Sequence, residues 1–182
     1  MGIEEDRRIV EECISGDARS EKRLYVKYAN VVYTICYRYS RNEEDARDIL
    51  QETFMKVFEK LGQYNGDGSL EGWIRRVAVT TSIRFYRKSL KKKNISKLSD
   101  SEYDQSDMET PLEIVSAKEI MQLINSLSDA YRIIFNMHAI EGYSHKEIGE
   151  HLGISEVASR SRLKRAKKQL IALLKTKNHV IC

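Results

Sequence analysis

A single proline, Pro111, in 182 residues is too few for β architecture, whose turns and edges call for breakers again and again. No apolar run is long enough to span a bilayer. The three cysteines, Cys13, Cys36 and Cys182, stand far apart and form no Cys-x-x-Cys pair, which suits reduced packing thiols better than a disulfide framework. The four histidines have no metal spacing, since His145 and His151 are six apart on different helix faces and His138 and His179 add no ligand pair. No nucleophile, acid or base constellation is present, so an enzyme is not expected and neither is a cofactor. The N-terminus, Met-Gly-Ile-Glu-Glu-Asp-Arg-Arg, has acid where a signal peptide would be apolar, and a cytoplasmic location is expected. The excess of one sign of charge is small as well: the net +4 is modest, so affinity for nucleic acid has to come from local clustering.

What the chain does have is helical periodicity. Apolar residues recur at helical spacing over 9–14, 24–39, 46–61 and 70–85, and again from Leu112 onward, and no stretch alternates as a strand would. From Lys91 to Thr110 the period stops, and a segment that begins basic and turns acidic has Ser, Asp and Gln in place of a core pattern. The reading is an all-α protein of two small helical domains, 1–90 and 112–182, joined by a flexible linker over 91–111. Fully extended at about 3.3 Å per residue, such a linker reaches roughly 65 Å, enough for one chain to touch two well-separated sites.

The C-terminal half spells two helices joined by a tight turn. Ser144 is placed to cap the amide of Glu147 while the Glu147 carboxylate reaches back, and Tyr143 and Ile148 flank this box as a hydrophobic staple. Gly149 omits a side chain where the second helix must come close, Gly153 supplies the turn, Ile154 plugs the corner, and Ser155 caps the next helix with Glu156 at its positive end. That helix carries Arg160, Arg162, Lys164, Arg165, Lys167 and Lys168, with Leu163, Leu170, Leu173 and Leu174 expected on its packing side. A capping box, a turn glycine and a basic second helix make a helix-turn-helix directed at DNA; a solvated basic helix closing a bundle is the plainer alternative.

Two further stretches stand out. Over Glu43 to Leu61, Ala46, Ile49, Leu50, Thr53, Phe54, Val57, Phe58 and Leu61 form an apolar stripe after an Asn42 cap, and Asp45, Asp48, Glu52 and Glu59 line the opposite face. An acidic face in a basic protein suits a basic protein partner, or is simply solvated. The Gly-rich loop that follows, 63–69, lacks the Gly-Lys-Ser/Thr ending and the preceding strand of a phosphate cradle, so nucleotide binding is rejected. In the next helix, Leu70 to Lys88, Trp73, Ile74, Val77 and Ala78 are expected inward with Arg75, Arg76, Arg84, Arg87 and Lys88 around them. Trp73 and Tyr64 have the chemistry to stack on unpaired bases, although a lone Trp at helical spacing is more often core.

Asn42-Glu-Glu-Asp-Ala-Arg-Asp-Ile-Leu-Gln-Glu-Thr-Phe, Gly68-Ser-Leu-Glu-Gly-Trp-Ile-Arg-Arg and the helix-turn-helix from Ser144 together resemble, in order and over nearly the whole chain, the two domains of an extracytoplasmic-function RNA polymerase sigma factor of the sigma-70 family. The resemblance implies a region-2 domain that holds core RNA polymerase and opens the minus-10 element, and a region-4 domain that reads the duplex minus-35 element. It places Asp45, Asp48, Gln51, Glu52 and Phe54 in the core-binding motif. It places Tyr64, Asn65, Gly66, Asp67, Trp73, Arg75, Arg76 and Thr80 at the melted minus-10 strand, the loop from Tyr64 to Ser69 capturing a flipped-out base. Arg160, Ser161, Lys164 and Arg165 match positions facing the minus-35 element, with Ser144, Ser155, Arg162, Lys167 and Lys168 completing that set. The acidic linker resembles the family's segment that threads the RNA exit channel.

The chain departs from the family pattern at Thr80, where many members carry an asparagine, and at Val157, Ala158 and Ser159, where Gly-Thr-Val is commoner. With no sensor domain in the sequence, the resemblance further implies a membrane-bound anti-sigma factor as regulator. The competing reading is a helix-turn-helix repressor or activator that works without polymerase, its N-terminal helices serving as an effector or dimerisation domain.

Overall fold

A computed structural model describes the backbone of residues 2–96 and 117–179 and the side chains of 4–90 and 119–174. Among the described residues there is helix and no strand, as the scarcity of proline predicts. The chain divides into two compact units, Met1–Ser89 and Leu90–Cys182.

The first unit is built from α1 (Gly2–Ile14), α2 (Ala18–Tyr39), α3 (Glu43–Lys60), a 3-10 turn over Leu61–Gln63, and α4 (Leu70–Ser96). Its starts are specified locally. Asp17 accepts from the amides of Arg19 and Ser20 to cap α2, and Asn42 accepts from the amide of Asp45 to cap α3, so orphan donors of each first turn are satisfied. The stripes of these helices meet in one core, where Leu24, Val32, Ile35, Ile49, Val57, Leu61, Leu70 and Ile74 are almost wholly enclosed. Each such side chain contributes about 1.5–3 kcal/mol relative to leaving it in water. Cys13 and Cys36 are buried in this core as free thiols, and burial pushes the Cys36 thiol up to about 11. Cys182 lies outside the described residues. Lys27 of α2 reaches Asp6 of α1 at 2.7 Å, and Tyr28 donates to the same carboxylate at 3.1 Å, which holds α1 against α2.

The second unit contains α5 (Ala117–Asn125), α6 (Asp129–Phe135) continuing into a π turn over Asn136–Ile140, α7 (His145–Leu152) and α8 (Glu156–His179). Leu123, Ile124, Leu127, Ile133, Ile134, Met137, Ile148, Leu163 and Ala166 make its core. Arg132, buried with α6, is held by Asp129 at 3.0 Å and by the carbonyl of Asn125 at 3.4 Å.

Three expectations change. The helix expected over 70–88 continues to Ser96, because the lysine-rich end of α4 supplies good helix formers even where the apolar period has lapsed; the expected linker therefore begins as helix. The rest of that linker, with the acidic stretch and Pro111, lies outside the described residues, as do residues 112–116 of the expected second domain. On the packing side of α8, Leu163 is buried and Leu170 and Leu173 half-buried, but Leu174 is exposed, since α5 and α6 are too short to line the far end of a 24-residue helix. Trp73 and Val77, expected inward, are half-buried, as are Leu50 and Phe58 at the margins of the α3 stripe.

Candidate functional site: a helix-turn-helix and two surfaces of the first unit

In the second unit the start of α7 and the turn from it into α8 are fixed atom by atom. The amide of Glu147 donates to Ser144 Oγ at 3.2 Å, while Glu147 Oε2 accepts from the Ser144 amide at 2.8 Å and from its hydroxyl at 2.7 Å, a complete capping box. These bonds hold the Glu147 carboxyl below the usual carboxylate range. At the other end Gly153 takes φ +69° and donates to the carbonyl of Gly149 at 2.8 Å, and the amide of Ile154 reaches the same carbonyl at 3.1 Å. A Cβ on Gly149 would lie 2.7 Å from the carbonyl oxygen of Ile154, so it is the turn backbone, and not a helix side chain, that demands glycine there. Ser155 Oγ then accepts from the amide of Ala158 at 3.1 Å and starts α8.

On α8, Val157, Arg160, Ser161, Lys164, Arg165, Lys167 and Lys168 are exposed, while Ser159, Leu163 and Ala166 face the core. Arg162 is half-buried on the flank of that face. Arg160 pairs with Glu156 one turn earlier; the guanidinium holds the Glu156 carboxyl below its ordinary value. The hydroxyls of Ser144 and Ser155 are engaged in capping, which leaves them at the edge of the cationic face but already bonded.

A pair of imidazoles, which no sequence pattern announces, lies behind this face. His138 and His145 stack with ring centroids 4.4 Å apart and planes inclined by 14°. His138 Nδ1 lies 2.8 Å from the carbonyl of Tyr143, and His145 Nδ1 lies 3.0 Å from Ser159 Oγ, so the stack links the π turn to α7 and α8. Burial, and after it the neighbouring His138, hold the His145 pKa below its ordinary value. Residues seven apart on different elements have no sequence period to pair them; only the chain reversal at Gly142, with φ +78°, brings them together.

The acidic side of α3 is present, with differences. Asp48 and Glu59 are exposed and Asp45 half-buried, while Glu52 is bound to Lys56 at 2.6 Å and so partly neutralised within its own helix. Gln51 is exposed on the same side. Phe54 is buried, its ring 4.5 Å from that of Tyr25 and 6.1 Å from that of Phe58, so it supports the surface from beneath. Sequence reading missed Met55, which is 66% exposed amid Gln51, Asp48 and Glu59; its phase off the apolar stripe was the available signal.

The loop between α3 and α4 owes its course to Gly66 and Gly68, both at φ +85°. Asn65 Oδ1 accepts from the amide of Asp67 at 3.2 Å while its Nδ2 donates to Asp67 Oδ2 at 2.6 Å, and Tyr64 donates to the carbonyl of Gly68 at 2.8 Å. Ser69 Oγ accepts from the amide of Gly72 at 3.0 Å at the head of α4. Tyr64 and Trp73 contact each other, centroids 5.9 Å apart, and make one aromatic wall at the surface. Arg75 is paired with Glu71 at 2.8 Å, Arg76 is exposed, and the exposed Thr80 donates its hydroxyl back to the carbonyl of Arg76 at 2.8 Å.

Comparison with known proteins gives consistent matches. Residues 24–92 match sigma-70 region 2, and residues 117–170 match sigma-70 region 4. The chain is 30% identical over 151 residues to the ECF RNA polymerase sigma factor SigE of Mycolicibacterium smegmatis, an alignment covering 81% of this chain and 58% of that one. It is 29% identical over 151 residues to the ECF RNA polymerase sigma factor SigM of Bacillus subtilis, covering 82% and 92%. Among solved structures, the sigma factor RpoE of Bartonella quintana, crystallised with the anti-sigma factor NepR, superposes with a TM-score of 0.50 at 21% identity, covering 85% of this chain and 96% of that one, which is a likeness of fold.

Proposed function

The chain belongs to the extracytoplasmic-function group of the sigma-70 family of RNA polymerase sigma factors, and from that premise we propose that it binds core RNA polymerase and confers promoter recognition, with no chemistry of its own. The observation that carries the reading is the pairing, in one unit, of a fully capped helix-turn-helix with a helix whose solvent face is cationic from Arg160 to Lys168. A helix of that kind lies in the major groove with its N-terminal residues toward base edges and its later cations along phosphates. Arg160, Ser161 and Lys164 are assigned to the minus-35 element, with Arg165, Lys167 and Lys168 along the backbone.

The acidic side of α3 is assigned to core polymerase, with Asp48 and Gln51 as polar contacts, Asp45 and Glu52 at the edge, and Phe54 as support. Charged groups at such a surface set encounter rate and register, while an exposed apolar side chain among them gives the patch its desolvated centre. Met55 takes that part here. The loop from Tyr64 to Asp67, the Tyr64–Trp73 wall and the exposed Arg76 are assigned to the separated minus-10 strand, because aromatic faces stack on any unpaired base and cations hold its phosphates. Arg75 and Thr80, already bonded within α4, have weaker claims to it.

A membrane-bound anti-sigma factor is part of the proposal. One that covered Asp48 and Arg160 together would compete with core polymerase, and would hold at the membrane a chain whose described residues include no helix long and apolar enough to cross one. Retention of the chain on isolated membranes, released by added core enzyme, is the expected result.

The decisive experiment is transcription reconstituted from core polymerase. Specific initiation should begin only when this chain is added. A chain that instead bound a palindromic duplex as a dimer, with core transcription indifferent to it, would establish the repressor reading, which the sigma-factor relatives do not favour.

A further inference from the structure

One side chain on the cationic face of α8 is out of character. Val157, in the first turn, is 75% exposed, the most exposed of the large apolar residues among those described. A β-branched residue at an open helical position loses rotamer freedom and gains no burial, so in the free protein Val157 is a small cost where alanine would be none. Isolated surface valines are common and need no explanation by themselves. This one, however, stands at a defined place: Arg160 and Ser161 follow it by three and four residues, and Lys164 by seven, all exposed, so the four share one face. At 1.5 Å per residue that face runs about 10 Å from Val157 to Lys164, the length of roughly three stacked base pairs at 3.4 Å each. Ser155 caps the helix through the amide of Ala158, which fixes the direction in which the first turn projects.

We propose that Val157 is a specificity-determining residue that reads a thymine in the duplex element bound by α8, its two methyl groups packing on the C5-methyl in the major groove. The inference rests on the assignment of α8 to duplex DNA. In the major groove each base pair offers a distinct set of groups, and the thymine methyl is the one feature that an apolar side chain can recognise and a cation cannot. The neighbours suit this division of labour. Glu156 bonds Arg160 across one turn and so orients that guanidinium, leaving Val157 as the uncharged group of the first turn's open side. Arg160 and Lys164 then supply attraction to acceptors and phosphates, and Val157 supplies selection by shape and by loss of water. The thymine it reads adjoins, within about three base pairs, the position that responds to Arg160.

The test uses holoenzyme reconstituted from the full chain and core polymerase, and duplexes selected by it from a library randomised over the upstream element. In the recovered sequence each thymine is replaced singly by deoxyuridine, which removes the C5-methyl and nothing else. Wild type should lose about three- to fivefold in affinity at one thymine, the worth of one buried methyl group. Val157→Ala, exposed and in a better helix former, should fold normally, lose a similar factor on the thymine duplex, and be indifferent to deoxyuridine at that position while remaining sensitive elsewhere. Val157→Thr, which keeps one methyl, should retain part of the discrimination. If wild type and Val157→Ala respond alike to every replacement, Val157 is an ordinary surface residue and the proposal falls, while sensitivity to Arg160→Ala would still uphold α8 as the reading helix. If neither Arg160→Ala nor Val157→Ala alters upstream recognition, the assignment of α8 falls and the proposal with it.

Discussion

Replacing Gly149 with alanine sets two well-defined effects against each other. In an open helix the change is favourable, by about 1 kcal/mol, because alanine is the better helix former. At Gly149 the added Cβ would meet the carbonyl oxygen of Ile154 at 2.7 Å, closer than real Cβ atoms come, and that oxygen is backbone and cannot rotate away. The turn has little room to retreat, since the amides of Gly153 and Ile154 both bond to the Gly149 carbonyl, at 2.8 and 3.1 Å. Forcing extra volume into a packed site costs about 1–3 kcal/mol, and here two hydrogen bonds of the turn are stretched as well, at about 0.5–1.5 kcal/mol each if lost. The clash outweighs the propensity gain, leaving a net loss of roughly 1.4 kcal/mol or more, a tenfold rise in opening of the turn. Hydrogen exchange of amides in 144–160 should quicken by about that factor, with the first unit, α1 to α4, as an unchanged internal reference. Gly62→Ala is the control, for nothing lies within 4 Å of its Cβ and its φ is not positive; it should be neutral or slightly stabilising. Unchanged or increased protection in Gly149→Ala would mean that the α7–α8 turn yields without cost and that the contact with Ile154 demands no glycine.

The other predictions concern charge. Asp48→Lys, at an exposed site, should leave helicity and melting within about 0.5 kcal/mol of wild type yet weaken co-purification with core polymerase; Glu52→Lys should act less cleanly, since it also releases Lys56 from its 2.6 Å partner. Arg160→Ala should lose about 1–3 kcal/mol at one base position, and Lys167→Ala should weaken all duplexes evenly and lower the salt slope by about 1; identical profiles for the two would contradict insertion of α8. His145, its pKa lowered first by burial and then by His138, binds its proton more readily in the unfolded chain, so the second unit is stable above the ordinary histidine value of about 6.5 and loses stability as pH falls through the lower folded value. Arg160 and Lys167 act in the same direction and Glu156 against it, and His145→Gln should flatten the acid limb of a denaturation series between pH 8 and 5.

What was legible in the sequence was whatever a single helix decides for itself. The caps at Asn42, Ser144 and Ser155 and the turn at Gly153 act through bonds three or four residues long, and all appear where local chemistry puts them. The buried stripe of α3, from Ala46 to Leu61, likewise follows from period alone. What failed depended on a second element. Trp73 has the right phase for a core residue of α4, but it is only half-buried, its ring against that of Tyr64 from the loop that Gly66 and Gly68 shape at positive φ. Phe54 keeps its place in the apolar stripe, but its ring partner Tyr25 comes from α2, which the period of α3 does not reveal. The stack of His138 on His145 needs a π turn, a glycine and a helix start to meet at one point.

The exposed side of a helix obeys the opposite logic. Phase says which residues the fold does not need, and a residue that the fold does not need is free to be chosen for a partner. Met55 and Val157 are apolar at such phases, exposed by 66% and 75%, and each is bordered by groups of one dominant character, acid beside Met55 and base beside Val157. Burial cannot account for either, because neither is buried. A charged surface attracts over distances set by the Debye length, about 8 Å in physiological salt, and attraction of that kind brings partners together without fixing what they must be. An apolar group at the middle of the surface acts only on contact, and only against a matching shape. On the proposed assignment of α3 to core polymerase and of α8 to duplex DNA, Met55 and Val157 are thus placed to convert a general attraction, of acid for a basic protein surface and of base for DNA, into a choice of partner.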